Sequence, residues 1–461
     1  MNSKLFARLD AVFKPASVAV IGAVADPNRV GHAIMDSLVT GGFCGKIFPV
    51  HPRLETIMGH RVFKSLEELP EVPDLAVLAL NQKASIETAS VLNDMGVKGA
   101  VVLAGGYAEM GEEGNLLQEK LRKSAGAMPI IGPNTLGFLN ANARLNVTFY
   151  PRILNPGNVS FLSQSGGIGL TIKSKADDEG LGLAKWVGVG NRVNMEFHDL
   201  LEYLGNDSET RVIGVFTEGS SNPRAFIRTL ESITPHKPVV VYKGGKGLKA
   251  DTVTLTHTGA SAGSDRIWSG ALKQAGAHVV NSSAEMVTVC KALSIGRIPR
   301  GNRVAIFTHT AGPSIVACDI LEREPDFRLA ELGDSTISRI ADILGPGVPV
   351  VHKNPVDGAA GAFLTDPFYR IGEVILQDAE VDSMITIFCE HKSWIYPTEE
   401  IAKLSKTYGK TIVACYIGSA RTISKDQSIL HAQGVPVYLT PEDAATGLAT
   451  LMRRRLQQHP G

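Results

Sequence analysis

The chain has 461 residues, and 44% hydrophobic with 20% charged residues is the composition of a folded globular protein rather than a disordered one. Lys and Arg number 46, as do Asp and Glu, so no net positive charge is available to hold a nucleic-acid backbone. Five Cys stand far apart without a CxxC pair, which argues against a disulfide framework and a metal site. Neither a signal-peptide core nor an apolar run of ~18 residues occurs, so we expect a cytoplasmic protein without membrane contact.

Short β-branched strands, Gly-rich turns and helical stretches alternate along the chain, which is typical of βαβ units. One series of strands begins at residue 17, a second at 158, and a third at 303 after a Pro- and Gly-containing linker. The strands lack polar alternation, which indicates burial on both faces and hence parallel sheets. We predict an α/β protein with three doubly wound domains, 1–150, 151–300 and 301–461.

The first strand runs into a Gly-containing turn, and a helix is predicted to start near Gly31. Free N–H groups at that helix start suit a phosphate, and Arg29 adds positive charge. The spacing is not GxGxxG, so the usual NAD fingerprint is absent. The turn alone is compatible with nucleotide binding, with coenzyme A (CoA) binding, or with the ordinary first turn of an α/β domain.

A second strand-to-helix turn, at 163–167, has the sequence Ser-Gln-Ser-Gly-Gly. Its hydroxyl groups and the following helix start form a compact set of donors for an anion. A plain Ser N-cap is the alternative interpretation.

His257 lies in a third polar segment, Thr-His-Thr-Gly-Ala-Ser-Ala-Gly, whose residues are too small and polar for a core. An exposed imidazole on a Gly-rich loop can act as a nucleophile toward phosphorus, although most isolated His residues are structural. Glu218 ends a strand at the sheet edge where parallel sheets place their sites, and its carboxylate could orient such an imidazole. A solvated strand-end carboxylate is the alternative for Glu218.

These segments carry a family resemblance. The motifs VAVIG…RVGHAI, GKIFPVHPR, GPNTLGF, FLSQSGGIG, VGVGN, TEG, THTGASAGSD, THTAGPS and NPVD occur in the order found in the NDP-forming acyl-CoA synthetases. That superfamily contains succinyl-CoA synthetase and ADP-forming acetyl-CoA synthetase, and the extent of the chain resembles the α subunit of the latter. The resemblance implies a Rossmann-like CoA-binding domain followed by two flavodoxin-like domains of the succinyl-CoA-ligase type.

The resemblance also implies residue roles. His257 takes the place of the phosphorylated histidine, Glu218 that of the glutamate supporting it, and the turn at 163–167 that of the phosphoryl-holding loop. That loop comprises Ser163, Gln164, Ser165, Gly166 and Gly167. CoA binding is implied for Gly22, Ala23, Val24, Asp26, Arg29, Val30, Gly31, Val50, Arg53, Leu80, Asn81 and Gly105. Contact with the acid is implied for Asn134 and Thr135.

Four segments depart from the family pattern. His51 stands where Asn is usual, Thr135 where Cys is common, and Asn81-Gln82-Lys83 replaces a Pro-Ala pair. His309-Thr310-Ala311 alters a loop of the third domain. Most of these changes fall at the CoA and acyl edges, which leaves the identity of the acid open.

The implied reaction joins a small carboxylic acid to CoA with conversion of ATP to ADP and phosphate, through a phosphohistidine and an acyl phosphate. The family's ATP-grasp domain, which holds ATP and magnesium, has no counterpart in the three series. The resemblance therefore implies an ATP-grasp β-type partner subunit in a hetero-oligomer such as α₂β₂. Two alternatives remain: a CoA-binding regulator without turnover, and a ligase whose acyl-CoA feeds a lyase step.

Overall fold

The computed structural model describes residues 3–150, 155–246, 265–346, 353–391 and 395–458. In this part of the chain, helices pack on three mostly parallel sheets, so the predicted α/β class with doubly wound sheets is confirmed.

The first sheet is entirely parallel and has the strand order β2-β1-β5-β6-β7. Its interior strand β1 (Ser17–Ile21) is buried at every position because the run Ser-Val-Ala-Val-Ile offers no polar face. The strands of this region, including one separate small hairpin, are β1 (Ser17–Ile21), β2 (Lys46–Val50), β3 (Thr56–Ile57), β4 (His60–Arg61), β5 (Leu75–Leu78), β6 (Gly99–Val102) and β7 (Ile130–Ile131). The helices are α1 (Ser3–Phe13), α2 (Val30–Thr40), α3 (Gln82–Met95) and α4 (Glu112–Ala125).

The second sheet has the order β14-β13-β12-β10-β11-β8-β9. Five strands are parallel, and a hairpin extends one edge through an antiparallel pairing with β11. The strands are β8 (Phe138–Asn140), β9 (Leu145–Asn146), β10 (Pro156–Ser163), β11 (Leu183–Gly188), β12 (Val212–Thr217), β13 (Val239–Lys243) and β14 (His278–Val280). The described helices are α5 (Gly166–Asp178), α6 (Phe197–Asn206), α7 (Pro223–Ile233), α8 (Asp265–Gln274) and α9 (Ser283–Ile295).

The third sheet is parallel, with the order β16-β15-β18-β19-β20 and a short strand β17 also paired to β15. Its strands are β15 (Arg303–Thr308), β16 (Arg328–Leu329), β17 (Val356–Asp357), β18 (Ser383–Cys389), β19 (Thr411–Ile417) and β20 (Val437–Tyr438). Its helices are α10 (Ala311–Leu321), α11 (Asp334–Leu344), α12 (Thr365–Gln377), α13 (Thr398–Tyr408), α14 (Ala420–Ala432) and α15 (Pro441–Gln458).

The three sheets fall into two compact units. One unit holds the first two sheets (1–177 and 181–286), and the other holds the third sheet (287–461) together with 178–180. Residues 138–146 of the predicted first domain pair with the second sheet through β8 and β9. Most of α9 belongs with the third sheet, because Thr288 donates a hydrogen bond to Asp443 and accepts one from Tyr438. This division into two units does not decide the domain boundaries predicted at residues 150 and 300, which stay predictions.

Among the helices of the described residues, none combines the length and the apolar character that crossing a bilayer requires.

Candidate functional site

Two glycines shape the turn between β1 and α2. Gly22 has a left-handed φ of +88°, and a Cβ at this position would lie 2.5 Å from the carbonyl oxygen of Ala79. A Cβ at Gly31 would lie 2.0 Å from the carbonyl oxygen of Gly22. The first turn of α2 therefore touches the backbone of the preceding turn, and only glycine allows this approach.

A cavity of about 620 Å³ opens at the carboxyl edge of the first sheet, where parallel sheets bind their ligands. The following residues line it: Gly22, Val24, Arg29, Val30, Gly31, Ala79, Leu80, Leu103, Ala104, Gly105 and Phe149. Seven of the twelve residues predicted to bind CoA are among them. The turn after β1 and the strand ends of β5 and β6 thus meet around one space.

The other five predicted residues do not line the cavity, and three of them hold turns or strand ends next to residues that do. Asp26 accepts a hydrogen bond from the backbone of Asn28 and fixes the turn, and Asn81 caps α3 through the backbone of Ala84. The Val50 carbonyl accepts the N–H of Gly22. The remaining two are Ala23, which is buried, and Arg53, which is exposed.

Positive charge stands at one end of the cavity. The Arg29 side chain is 75% exposed, and its nearest carboxylate, Asp26, lies 3.7 Å away in an exposed pair. Arg29 also precedes the first residue of α2, whose free N–H groups add partial positive charge. An anionic group of a ligand therefore fits at this end.

The hydrogen bonds of His51 explain how a His can stand where Asn is usual in the family pattern. Its Nδ1 accepts hydrogen bonds from the backbone N–H groups of Arg53 (3.2 Å) and Leu54 (3.3 Å). An Asn side-chain oxygen can accept the same two bonds, so the replacement keeps the turn. Burial, followed by the charges of Arg53 and Lys64, lowers the pKa of His51. The imidazole is therefore held in the neutral form that this acceptor role requires.

A second group of loops meets at the carboxyl edge of the second sheet. Ser163 donates a hydrogen bond to the carbonyl of Ser165, and the Ser165 hydroxyl accepts the N–H of Ile168 in the first turn of α5. Gln164 Oε1 accepts the N–H groups of Glu218 (2.9 Å) and Gly219 (3.4 Å). The predicted phosphoryl loop is thus locked to the loop that carries Glu218.

The helix start at Gly166 and Gly167 leaves room for an anion. A Cβ placed at Gly167 would meet no atom within 4 Å, and Gly167 is exposed. The N-terminus of α5 therefore presents N–H groups to open space beside Glu218.

Arg192, which follows β11 at the same edge, was not among the residues predicted from the sequence. Its side chain is 7% exposed, and its Nε lies 3.2 Å from a carboxylate oxygen of Glu196. The backbone of Arg192 has a left-handed φ of +59°. Burial lowers the pKa of Arg192, while the carboxylates of Glu196 and Glu218 oppose this effect. Glu196 also accepts a hydrogen bond from Ser221. A buried cation thus lies within electrostatic range of the candidate carboxylate. The only sequence signal for Arg192 was its place after a Gly-rich strand end.

His257 and its segment lie outside the described residues, so its prediction rests on the sequence alone. The two residues predicted to contact the acid are described. Thr135 is buried, and its hydroxyl donates to the carbonyl of Gly188 and accepts the N–H of Gly137. Because both bonds go to backbone, Thr135 holds the loop after β7. Asn134 is exposed beside Gly105, with a φ of +55°.

Comparisons with known proteins agree with this geometry. The CoA binding domain family matches residues 16–141, and the succinyl-CoA ligase like flavodoxin domain family matches residues 156–293. The α subunit of ADP-forming acetate–CoA ligase II from Pyrococcus furiosus is 35% identical over 97% of this chain and 98% of its own length. The chain belongs to the family of ADP-forming acetate–CoA ligase α subunits. The predicted family resemblance is confirmed.

Two further members of this ligase family bear on the architecture. The dinucleotide forming acetyl-coenzyme A synthetase 1 of Ca. Korarchaeum cryptofilum, solved with phosphate and ADP, superposes with a TM-score of 0.88. It is 29% identical and covers 98% of this chain and 97% of that one. ADP-forming acetate–CoA ligase II of Archaeoglobus fulgidus is 30% identical, and this chain covers 67% of its length. About a third of that ligase thus lies outside the alignment.

Proposed function

We propose that the chain is the α-type subunit of an ADP-forming acid–CoA ligase with a phosphohistidine at His257. The observation that carries the proposal is that the first and second sheets each offer a place for an anion at the carboxyl edge, within residues that match the two domain families. One edge is the cavity with Arg29 and the start of α2, and the other is the start of α5 beside Glu218.

The reaction runs in three balanced steps. The imidazole of His257 attacks the γ-phosphorus of ATP, and ADP leaves. A carboxylate oxygen of the acid then takes the phosphoryl group from the imidazole, which gives an acyl phosphate. The CoA thiolate adds to the acyl carbon and phosphate leaves, because phosphate is a far better leaving group than oxide. The division into steps explains why one chain needs both a CoA cavity and a phosphoryl loop.

The described residues have assigned tasks in this scheme. Glu218 orients the imidazole and stabilises its charged forms, with its backbone fixed by Gln164. The start of α5 neutralises the phosphoryl oxygens, since phosphoryl transfer depends mainly on positioning and charge neutralisation. Arg29 and the start of α2 hold the phosphates of CoA. The regulator alternative is not favoured, because the relatives named above are ligases.

ATP and magnesium would be held by an ATP-grasp β-type partner, in an assembly such as α₂β₂. The family name of an α subunit and the third of the Archaeoglobus ligase that lies outside the alignment support this division. The three sheets of the described chain are accounted for by a CoA-binding domain and two flavodoxin-like domains.

The test uses the purified chain with γ-labelled ATP, CoA and a panel of small carboxylic acids, with and without the β-type subunit. We expect CoA binding by the chain alone, and acyl-CoA and an acid-labile label on the chain only with the partner. His257→Ala should abolish the label and the product while CoA binding is kept. A label that survives this substitution, or acyl-CoA formation by the rigorously purified chain alone, would contradict the proposal. Mass spectrometry of the products identifies the acid.

A further inference from the structure

A network of three amide and carboxylate side chains connects the loops that follow β6, β7 and β11. Glu109 Oε1 accepts the N–H of Gly106 at 2.5 Å, and Glu109 Oε2 accepts a hydrogen bond from Asn191 Nδ2 at 2.5 Å. Asn191 Oδ1 in turn accepts a hydrogen bond from Asn134 Nδ2 at 3.3 Å. We call Glu109, Asn191 and Asn134 the amide relay.

Charge fixes the direction of every bond in the relay. An ionised carboxylate only accepts hydrogen bonds, so Asn191 must turn its NH₂ group toward Glu109. Gln118 Oε1 accepts from the same NH₂ group at 3.0 Å, which favours the same orientation. The pKa of Glu109 is lowered: its burial acts against this, but the hydrogen bond from Asn191 and those from backbone N–H groups outweigh it. Asn191 Oδ1 then faces Asn134, which must turn its own NH₂ group toward Asn191.

The last member of the relay, Asn134, lies beside a residue that lines the cavity. With its NH₂ group used by Asn191, Asn134 places Oδ1 next to Gly105, where a Cβ would lie only 3.2 Å from that oxygen. Gly105 lines the cavity, and the carbonyl of Gly105 is held by Gln82 at 2.7 Å. In the sheet, β5 lies between β1 and β6. Arg29 follows β1 and Gly105 follows β6, so these two lining residues are at opposite ends of the cavity.

An elongated ligand with its anionic groups at Arg29 therefore brings its other end to Gly105. For CoA that other end is the pantetheine arm, which carries amide N–H groups and the thiol. We propose that Glu109 is a positioning residue that acts through Asn191, so that Asn134 Oδ1 accepts a hydrogen bond from the thiol end of CoA. This inference rests on CoA as the ligand of the cavity and gives Asn134 a contact with CoA rather than with the acid.

The proposal needs only a hydrogen-bond acceptor at residue 134, so a substitution that restores this acceptor should rescue CoA binding. Asn191→Leu removes the group that orients and holds Asn134, so the hydrogen bond that Asn134 Oδ1 accepts from CoA is lost, and we expect CoA binding to weaken roughly tenfold. An Asp at residue 134 presents an oxygen in either orientation. The double variant Asn191→Leu/Asn134→Asp should therefore bind CoA within about twofold of wild type by calorimetry. Glu109→Gln, which leaves one oxygen for two donors, should show the same loss and the same rescue.

Asn194 supplies a matched control, because the hydrogen bonds that its amide makes within the described residues go to the backbone of Met128 and Ile130. Asn194→Ala should leave the dissociation constant of CoA unchanged. Unchanged affinity in Asn191→Leu, a double variant as weak as the single one, or an equal loss in Asn194→Ala would each overturn the relay. A wild-type chain that binds no CoA would overturn the proposed function together with the relay.

Desulfo-CoA distinguishes the two donors at the thiol end. The ratio of wild-type to Asn191→Leu affinity should fall to about one with this analogue if the S–H group is the donor. The ratio is kept if a pantetheine amide is the donor. Both results agree with the relay, which requires only a donor at this end.

Discussion

Several polar side chains in the candidate sites act on backbone groups rather than directly on a ligand. Gln164 binds the N–H groups of the Glu218 loop, His51 binds those of its own turn, and Thr135 joins two loops. The residue types were visible in the sequence. The partners of Gln164 and Thr135 were not visible, because the Glu218 loop and Gly188 are more than 50 residues away and are brought close only by folding.

Glu218 is the residue for which a direct chemical role is expected. The Gln substitution removes its charge beside Arg192 while keeping its size, so turnover of the complete enzyme should fall by about 10²–10⁴-fold. Circular dichroism should show an unchanged fold. The exposed Glu231 on α7 offers a control, and Glu231→Gln should keep wild-type turnover. Wild-type turnover in Glu218→Gln would make this residue a plain strand-end carboxylate.

The neutral form of His51 predicts a pH dependence of CoA binding. Protonation destroys the acceptor at Nδ1, and the lowered pKa means that affinity is kept near pH 7 and lost as the pH falls below 6.5. His51→Asn should bind CoA within about twofold of wild type at pH 7, and His51→Ala should bind it roughly fivefold more weakly.

The two proteins should diverge at pH 5, where His51→Asn keeps more affinity than wild type. Calorimetry at both pH values measures this difference. CoA phosphates also titrate near pH 6, but they do so equally for both proteins, so the comparison isolates the imidazole. Parallel pH profiles would contradict the role of His51.

At the scale of elements, each sheet places a strand-to-helix turn at its carboxyl edge, but the three turns differ. The turn between β1 and α2 is closed by backbone contact at Gly22 and Gly31, and that before α5 is open at Gly167. In the third sheet, His309 Nε2 accepts the N–H of Cys389 at 2.9 Å, and the ring packs on Phe388. Burial lowers the pKa of His309. The altered third turn therefore uses its His to join β15 to β18.

The backbone contact at Gly31 predicts a localised effect of substitution. Gly31→Ala places a methyl group 2.0 Å from the Gly22 carbonyl oxygen, so α2 must move away from the turn. We expect a loss of about 1–3 kcal/mol in stability and a CoA dissociation constant raised at least tenfold. Thermal unfolding and calorimetry measure these two quantities.

Gly312 in the first turn of α10 is the matched control, since a Cβ there would meet no atom within 4 Å. Gly312→Ala should leave CoA affinity unchanged and raise helix stability slightly. An equal CoA affinity of Gly31→Ala and Gly312→Ala would show that the approach of α2 to the turn does not affect CoA binding.

At the scale of the whole molecule, each compact unit buries a cation with its own carboxylate. Lys185 contacts Asp207 and Glu209 in the first unit, and Lys291 contacts Glu179 in the second. Removing one partner from such a pair leaves a buried charge, which costs more than an exposed pair contributes. The partners within these pairs are 22 to 112 residues apart in the chain, so no local sequence pattern reveals them.

The second unit also contains the partly buried His431, whose Nε2 accepts the N–H of Val437 at 3.2 Å. Burial, together with the charge of Lys291, lowers the pKa of His431 to about 3. The folded state therefore prefers the neutral imidazole, and the stability this provides above pH 6.5 is lost as the pH falls toward 3. We expect the stability of this unit to decrease between pH 6.5 and 4.

Hydrogen exchange of the β20 amides at several pH values measures this local stability. In His431→Gln, an amide oxygen can accept the Val437 N–H without titrating, so protection should depend less on pH than in wild type. The same pH dependence in both proteins would contradict the assignment to His431.

The sequence by itself determined the α/β class, the parallel strands and the family, because these follow from apolar runs, turn residues and motif order along the chain. It also picked out seven of the eleven residues that line the cavity of the first sheet, since strand ends of one parallel sheet must meet at one edge. Only the tertiary structure decided that Thr135 bonds the backbone of Gly188, that Arg192 lies within electrostatic range of Glu218, and that Glu109 reaches Asn134 through Asn191. The physical reason is that burial and hydrogen-bond direction depend on neighbours distant in sequence, which folding alone brings together.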